Sequence, residues 1–322
     1  MPALMRKNKI HMTDCLIITT LADEFAEEIP RLADFPIPIK ACTSTKQALD
    51  EYTNETILFG SPAMIAEILP EMPTVEWVQS SWAGVTPLIA LDRRDYVLTG
   101  IKNVFGSQMA EYVIGYLLAH ELKVLQRMNA QHEHNWFREH SGTLEGKRLG
   151  IMGTGSIGQH IARAARHFGI KVTGLSRSGT PVSGFDNVLA VNALGDFLKE
   201  SDYLVATLPQ TTGTDNLLDA AALAKLPAHA YFINVGRSNV VDDTALIDAL
   251  KNERLAGAAL DVFDEEPIPK ESPLWDTPNL SVTAHISAIS HPLLIVPVFV
   301  ENYRRYCEKQ PLNYVVDFTT GY

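Results

Sequence analysis

Cysteine is scarce in this chain, at 3 of 322 residues. Cys15, Cys42 and Cys307 are far apart and odd in number, so they draw neither a disulfide framework nor a metal-ligand spacing. They read as small buried thiols, and a reducing cytoplasm fits best. Positive charge is also in short supply. Against 38 Asp and Glu stand 27 Lys and Arg, a net charge of -11, and no basic excess is left to face a phosphate backbone, which argues against a nucleic-acid partner. Long apolar runs are missing too. The longest near the C-terminus, Leu293 to Val300, is short and holds Pro297, so no membrane segment is expected. At the N-terminus charge precedes an apolar stretch, but that stretch soon meets Asp23 and Glu24 and no small-residue cleavage site follows. CLIITT is therefore read as a first strand and not as a signal peptide, with residues 1–11 as a loose extension, since Met12 could also start a chain. No internal repeat or low-complexity tract appears.

What is present is an α/β pattern with enough length for two domains and 46% hydrophobic residues. The first hundred residues alternate short apolar runs (CLIITT, TILFGS, VEWVQSSWAG, YVLTG) with helical stretches. Residues 106–128 carry one long helical pattern, apolar nearly all round in its first half and polar in its second. His132 and His134 follow it, two apart and without an acid or Cys pattern, which marks a solvated helix end and not a metal site. No metal is expected. From Arg148 the chain repeats strand, turn and helix. RLGIMG, KVTGLS, YLVATLP, YFINVG, GAALDVF and LSVTAH alternate little, as strands buried on both faces of a parallel sheet do. The expected fold class is α/β: a doubly wound, Rossmann-type parallel sheet, residues 103–286, inserted into a smaller α/β domain made of residues 12–102 and 287–322.

The chemistry starts at GTGSIG, residues 153–158, which follows a strand and opens a helix. Gly153 permits a tight turn, Gly155 lets the backbone approach a pyrophosphate, and Gly158 lets helix and strand pack closely. Ser156 and Ile157 stand where the free N–H groups of the helix N-terminus meet the phosphates. The next strand of such a unit usually ends in an acid that binds the ribose 2′-hydroxyl. Here it ends in Ser176, Arg177 and Ser178. A carboxylate would repel a 2′-phosphate, whereas a hydroxyl and a guanidinium hold one. The turn therefore reads as built for NADP(H), with NAD(H) still able to bind; the alternative is an ordinary polar turn with an exposed arginine.

Arg237, Glu266 and His285 each follow a strand of the same sheet, at the edge where open α/β folds bind ligands. Each alone has a plain reading: a surface charge, a loop acid before Pro267, a strand-end histidine. Together they suit the reduction of a keto acid, which needs a cation for the carboxylate and carbonyl oxygen and an acid for the nascent alkoxide.

With WAGV, GSQMAEYVIGYLLA, GTGSIG, LPQTTGT, NVGRSNVVD, GAALDVFDEEP, SPLWDTPN and TAHIS on one chain, the sequence resembles the D-isomer-specific 2-hydroxyacid dehydrogenases from about residue 14 to Tyr322. Its likeness is greatest to their glyoxylate and hydroxypyruvate reductase branch, where the Ser-Arg-Ser turn goes with NADPH. The resemblance implies a flavodoxin-like substrate domain, Arg237 as substrate clamp, Glu266 as partner of the histidine and His285 as general acid/base. It implies that Thr207, Pro209, Val235 with Gly236, and Asp261 line the cofactor, Asp261 on the nicotinamide side. Trp82, Ala83, Gly84 and Val85 fall in the family's substrate loop, where N–H groups of Gly84 and Val85 hold the carboxylate. Trp82, Trp275 and the loop around Val85 would shape the pocket for a small 2-keto or 2-hydroxy acid. A homodimer is implied through the helix of residues 106–125, although a helix linking two domains would look the same.

Two positions depart from the commoner pattern. Thr86 stands where Asp is frequent, which alters the anchoring of the substrate loop. Ala284 stands where Pro is usual, which removes a restraint before His285. Glu266 argues against formate dehydrogenases, whose histidine pairs with Gln. A chain ending at Tyr322 lacks the regulatory extension frequent in phosphoglycerate dehydrogenases. A different class keeps the same triad: corepressors that sense NAD(H) and recruit partners.

Overall fold

The computed structural model describes residues 13–319. The expected loose extension at residues 1–11, and the outermost ends of the expected substrate domain, lie outside them. The chain divides into two compact units, one running to Val104 and resuming at Ser290, the other spanning Phe105–Ile289.

The first unit is a five-stranded parallel sheet of β1 (Cys15–Ile18), β2 (Ile39–Cys42), β3 (Ile57–Gly60), β4 (Trp77–Ser80) and β5 (Val97–Thr99), in the order β2-β1-β3-β4-β5. This is the flavodoxin-like order. β1, β3 and β4 are buried at every residue, because helices cover both faces. The chain's last helix, Pro292–Cys307, packs beside the Ala22–Leu32 helix and stacks Phe299 on Phe59 with ring centroids 4.4 Å apart. Buried Asn302 ties that helix to β4 by donating to Gln79 Oε1 at 2.9 Å. The tail then runs beside β5, with Val316 N donating to Leu98 O and Gly100 N to Tyr314 O, each at 2.9 Å.

The second unit holds seven parallel strands: β6 (Arg148–Met152), β7 (Lys171–Ser176), β8 (Asn187–Ala190), β9 (Tyr203–Ala206), β10 (Tyr231–Asn234), β11 (Gly257–Leu260) and β12 (Leu280–Val282). Their order is β12-β11-β10-β9-β6-β7-β8, the doubly wound arrangement. The strand order reverses between β6 and β9, which opens a crevice at their carboxyl ends. Separate apolar clusters fill the two faces. One packs the Gly106–Glu121 helix on the Ser156–His167 helix through Ala110, Val113, Leu117, Ile161, Ala162 and Ala165.

Two features differ from the sequence expectation. The long helical pattern is two helices, Gly106–Glu121 and Val124–His132, broken where Lys123 adopts φ 52°. No glycine or proline marks that break. The strands β2 and β8 carry no run that the apolar pattern picks out. Both lie at sheet edges, where one side meets solvent and the apolar signal thins.

Candidate active site

Every residue of the glycine turn has a geometric reason. Gly153 sits at φ 105°, and a Cβ there would lie 2.6 Å from Thr207 Oγ1. A Cβ on Gly158 would lie 2.1 Å from the Gly153 carbonyl, so only glycine lets the Ser156–His167 helix approach the turn this closely. Gly155 is different: a Cβ there would meet nothing within 4 Å. Its backbone faces open space beside the helix N-terminus, where Ser156 and Ile157 begin the first turn. Thr207, just past β9, braces the turn from the next strand by donating its hydroxyl to Met152 O at 3.0 Å. Pro209 follows on the surface, its carbonyl taken by Thr214 Oγ1 at 2.9 Å. These features fit a bound dinucleotide: free N–H groups, a positive helix end and room for a pyrophosphate.

β7 ends at Ser176. Its hydroxyl accepts from Gly179 N at 3.0 Å, and Ser178 Oγ bonds Thr180 Oγ1 at 2.7 Å. The two serines thus shape the turn. Arg177 between them is exposed and has no partner among the described residues.

Arg237 leaves β10 through Val235 and Gly236, both buried. It is half-buried and donates from Nη1 to Gly236 O at 2.6 Å. Among the described residues no carboxylate lies within ion-pair distance of it. Burial lowers the pKa of its guanidinium, and the nearby charge of Glu266 opposes that shift. Glu266 faces two ways. Oε1 accepts from Phe263 N at 2.9 Å, which fixes the acid on its loop, and Oε2 lies 2.8 Å from His285 Nδ1. The other ring nitrogen, Nε2, makes no hydrogen bond among the described residues, so it is free to face a substrate.

His285 itself sits at φ 53°, a left-handed conformation uncommon for non-glycine residues. The loop around it is held from several sides. Asp261, 0% exposed at the end of β11, accepts from Ile286 N and Ser287 N at 2.8 Å each and from Thr283 Oγ1 at 2.5 Å. Tyr112 OH bonds Thr283 Oγ1 at 2.7 Å. Gln108 closes the far end, donating to Ile289 O at 3.1 Å and accepting from Ile289 N at 3.0 Å. The loop does not depend on a proline at 284 for its restraint. Sequence reasoning assigned Asp261 to the cofactor and did not single out Gln108, Tyr112 or Thr283. A buried acid after an apolar strand was the one available signal.

The structure thus gathers Arg237, Glu266, His285 and Asp261 at the carboxyl edge of one sheet, the edge that also carries the glycine turn. Trp275 belongs to the same unit, half-exposed, with its indole N–H on Pro269 O at 2.9 Å. Trp82, Ala83, Gly84 and Val85 belong to the other unit, on the loop after β4. Ser80 shapes that loop, its hydroxyl donating to Trp82 O at 2.8 Å and accepting from Trp82 N at 3.0 Å. The N–H groups of Ala83, Gly84 and Val85 donate to no group among the described residues.

The family model "D-isomer specific 2-hydroxyacid dehydrogenase, NAD binding domain" matches residues 114–287. Over 218 residues the chain is 33% identical to a glyoxylate/hydroxypyruvate reductase A of Escherichia fergusonii, a match covering 67% of this chain and 70% of that one. A solved D-isomer specific 2-hydroxyacid dehydrogenase family protein from Aeromonas salmonicida superposes with a TM-score of 0.91 at 37% identity, over 95% of this chain and 99% of that one. An NADPH-dependent glyoxylate/hydroxypyruvate reductase from Sinorhizobium meliloti, solved with NADP and sulfate, superposes with a TM-score of 0.83 at 27% identity, over 96% of this chain and all of that one.

Proposed function

The chain belongs to the D-isomer specific 2-hydroxyacid dehydrogenase family, and from that premise we propose that it moves a hydride between NADP(H) and a small 2-keto or 2-hydroxy acid of the glyoxylate and hydroxypyruvate kind. One observation carries the reading: among the described residues His285 is paired through Nδ1 with Glu266 and free at Nε2, while the charge of Glu266 also reaches a half-buried arginine that no carboxylate pairs. An unpaired, partly desolvated cation is a site for an anion.

NADPH, when bound, supplies the hydride. The glycine turn, the first turn of the Ser156–His167 helix and the Ser176–Arg177–Ser178 turn would hold it, with NADH as a weaker alternative. Val235, Gly236, Thr207 and Pro209 form the adjoining strand ends. Arg237 holds the carboxylate and polarises the keto oxygen. His285, protonated and oriented by Glu266, gives its Nε2 proton to the oxygen as the alkoxide forms. Asp261 holds the His285 loop, and a role toward the nicotinamide side is part of the same proposal. The free N–H groups of Gly84 and Val85 are suited to a carboxylate.

The reading extends to a cytoplasmic homodimer. Among the described residues no helix is long and apolar enough to cross a membrane. Leu122, Val124, Leu125 and Met128 are exposed apolar side chains on and just before the Val124–His132 helix, a patch suited to a second copy. A nucleotide-sensing corepressor is not favoured, because the Escherichia fergusonii and Sinorhizobium meliloti relatives named above are reductases.

NADPH oxidation with glyoxylate, hydroxypyruvate and bulkier 2-keto acids tests the proposal. Turnover is expected with at least one small acid, and His285→Ala should lower it about a hundredfold or more. A wild-type protein that binds NADPH and turns over none of the panel would sink the enzyme reading, as would a His285→Ala variant at near-normal rate.

A further inference from the structure

We propose that Asn234 is the positioning residue for Arg237, the side chain that decides where the guanidinium is aimed. This rests on Arg237 being the substrate clamp. Asn234 ends β10 and is 0% exposed, a primary amide at the end of a strand otherwise made of Tyr231, Phe232 and Ile233. A buried amide is costly unless its groups are hydrogen bonded. Here both ends are used, on either side of one turn. Oδ1 accepts from Gly236 N at 3.0 Å, and Nδ2 donates to Arg237 O at 2.9 Å. The side chain therefore fixes the path by which Arg237 leaves the strand.

Among the described residues the only other bond to the Arg237 carbonyl is a long one, from Val240 N at 3.5 Å. The backbone of Asn234 and Val235 is taken up by sheet-like bonds, with Asp261 N donating to Asn234 O and Val235 N to Ala206 O, each at 3.1 Å. Gly236 is confined from the other side, since a Cβ there would lie 2.8 Å from Leu208 O. At the tip of the arginine, the one hydrogen bond among the described residues runs to the adjacent carbonyl of Gly236. No ion pair among the described residues sets the guanidinium in place, in contrast to His285, whose ring is bonded to Glu266. The aim of Arg237 is thus set at its backbone. Aspartate at 234 would keep the acceptor for Gly236 N, lose the donor for Arg237 O and carry a buried charge. Alanine would lose both bonds.

The test is a double-mutant cycle on the full chain, with Asn234→Ala, Arg237→Gln and both together. The measurements are kcat/KM for glyoxylate, NADPH affinity by quenching of protein fluorescence, and the thermal midpoint. Asn234→Ala is expected to lower kcat/KM about thirtyfold while NADPH affinity changes no more than about threefold. In the Arg237→Gln background the same substitution should change kcat/KM no more than about threefold, because the group it aims is gone. Asn234→Asp should follow Asn234→Ala in direction and stands in for it if the alanine variant does not fold. Equal losses in both backgrounds, or a parallel loss of NADPH affinity, would make Asn234 a structural strut and overturn the inference alone. An Arg237→Gln enzyme with undiminished kcat/KM would overturn the clamp, and the inference with it.

Discussion

Arg177, at the carboxyl end of β7, is a cation that nothing among the described residues neutralises, while its two serine neighbours are engaged in holding the turn. The discrimination between NADPH and NADH should therefore sit mainly on one side chain. A charge-assisted bond to the 2′-phosphate contributes about 1.5–3 kcal/mol, roughly tenfold to a hundredfold in affinity. Arg177→Ala should weaken NADPH by that factor and leave NADH nearly untouched. Ser176→Asp should go further, since it sets a like charge beside the phosphate. The ratio of kcat/KM for the two cofactors measures both, and a ratio that neither change moves would leave only a polar turn. A second residue-scale expectation concerns Glu266, whose carboxylate lies 2.8 Å from the imidazole. Glu266→Gln keeps the size of the side chain but replaces a charge-assisted bond to the ring with a weaker one, so the imidazole is held less firmly. Keto-acid reduction should then fall about tenfold in kcat/KM while NADPH affinity stays nearly unchanged. An unchanged kcat/KM would show that the pair is not coupled in catalysis.

At the scale of an element, the glycine turn and its helix separate two demands that the motif merges. Gly158 is needed for packing, because a Cβ there would meet the Gly153 carbonyl at 2.1 Å. Gly155 is not, because a Cβ there would meet nothing within 4 Å, and its φ of -71° suits any residue. Gly158→Ala should thus cost about 1–3 kcal/mol of stability along with nucleotide binding. Gly155→Ala should leave the thermal midpoint in place, since only a ligand close to the backbone would feel the new methyl. Midpoints and NADPH affinities of the two variants decide it. If Gly155→Ala binds NADPH as wild type does, the pyrophosphate does not approach there.

Across the second unit, the proposed site and a stabilising cluster occupy opposite edges of one sheet. The proposed site lies at the carboxyl ends of the strands. At the amino ends, Asp202 joins three neighbours: it accepts from Arg148 N and Arg148 Nη2 at 2.8 Å each, lies 3.0 Å from His229 Nε2, and its carbonyl takes Tyr231 N. Burial pushes its carboxyl up, but the bonds from Arg148 and His229 outweigh burial and hold it well below the usual carboxylate range. A depressed carboxylate stabilises the fold above its unfolded value of about 3.9, and that contribution is lost as pH falls. Asp202 is 11% exposed but Arg148 is 39% exposed, which places Asp202→Asn near about 2 kcal/mol at pH 7. Denaturant midpoints should show that gap in full at pH 7, reduced near pH 3, and gone only once the pH has fallen through the depressed folded value, with kcat/KM unchanged at neutral pH. A gap of equal size at both pH values would mean that the charge is not what stabilises.

The sequence alone determined the two sheets' central strands, the glycine turn, the Ser-Arg-Ser ending of β7 and the residue types of the triad. These are local demands: a strand buried on both faces must be apolar throughout, and a tight turn at a helix start must be glycine. It did not reveal the edge strands β2 and β8, where half-exposure blurs the pattern, nor the break at Lys123, which no special residue announces. Only the tertiary structure decided how the reactive groups are held. Asp261 braces a loop 25 residues away, Gln108 clamps Ile289 across 181 residues, and Asn234 was hidden as the polar end of an apolar run. Such partners are chosen by which strand ends the fold sets side by side, and a buried carboxylate or amide must take the donors and acceptors that arrive there.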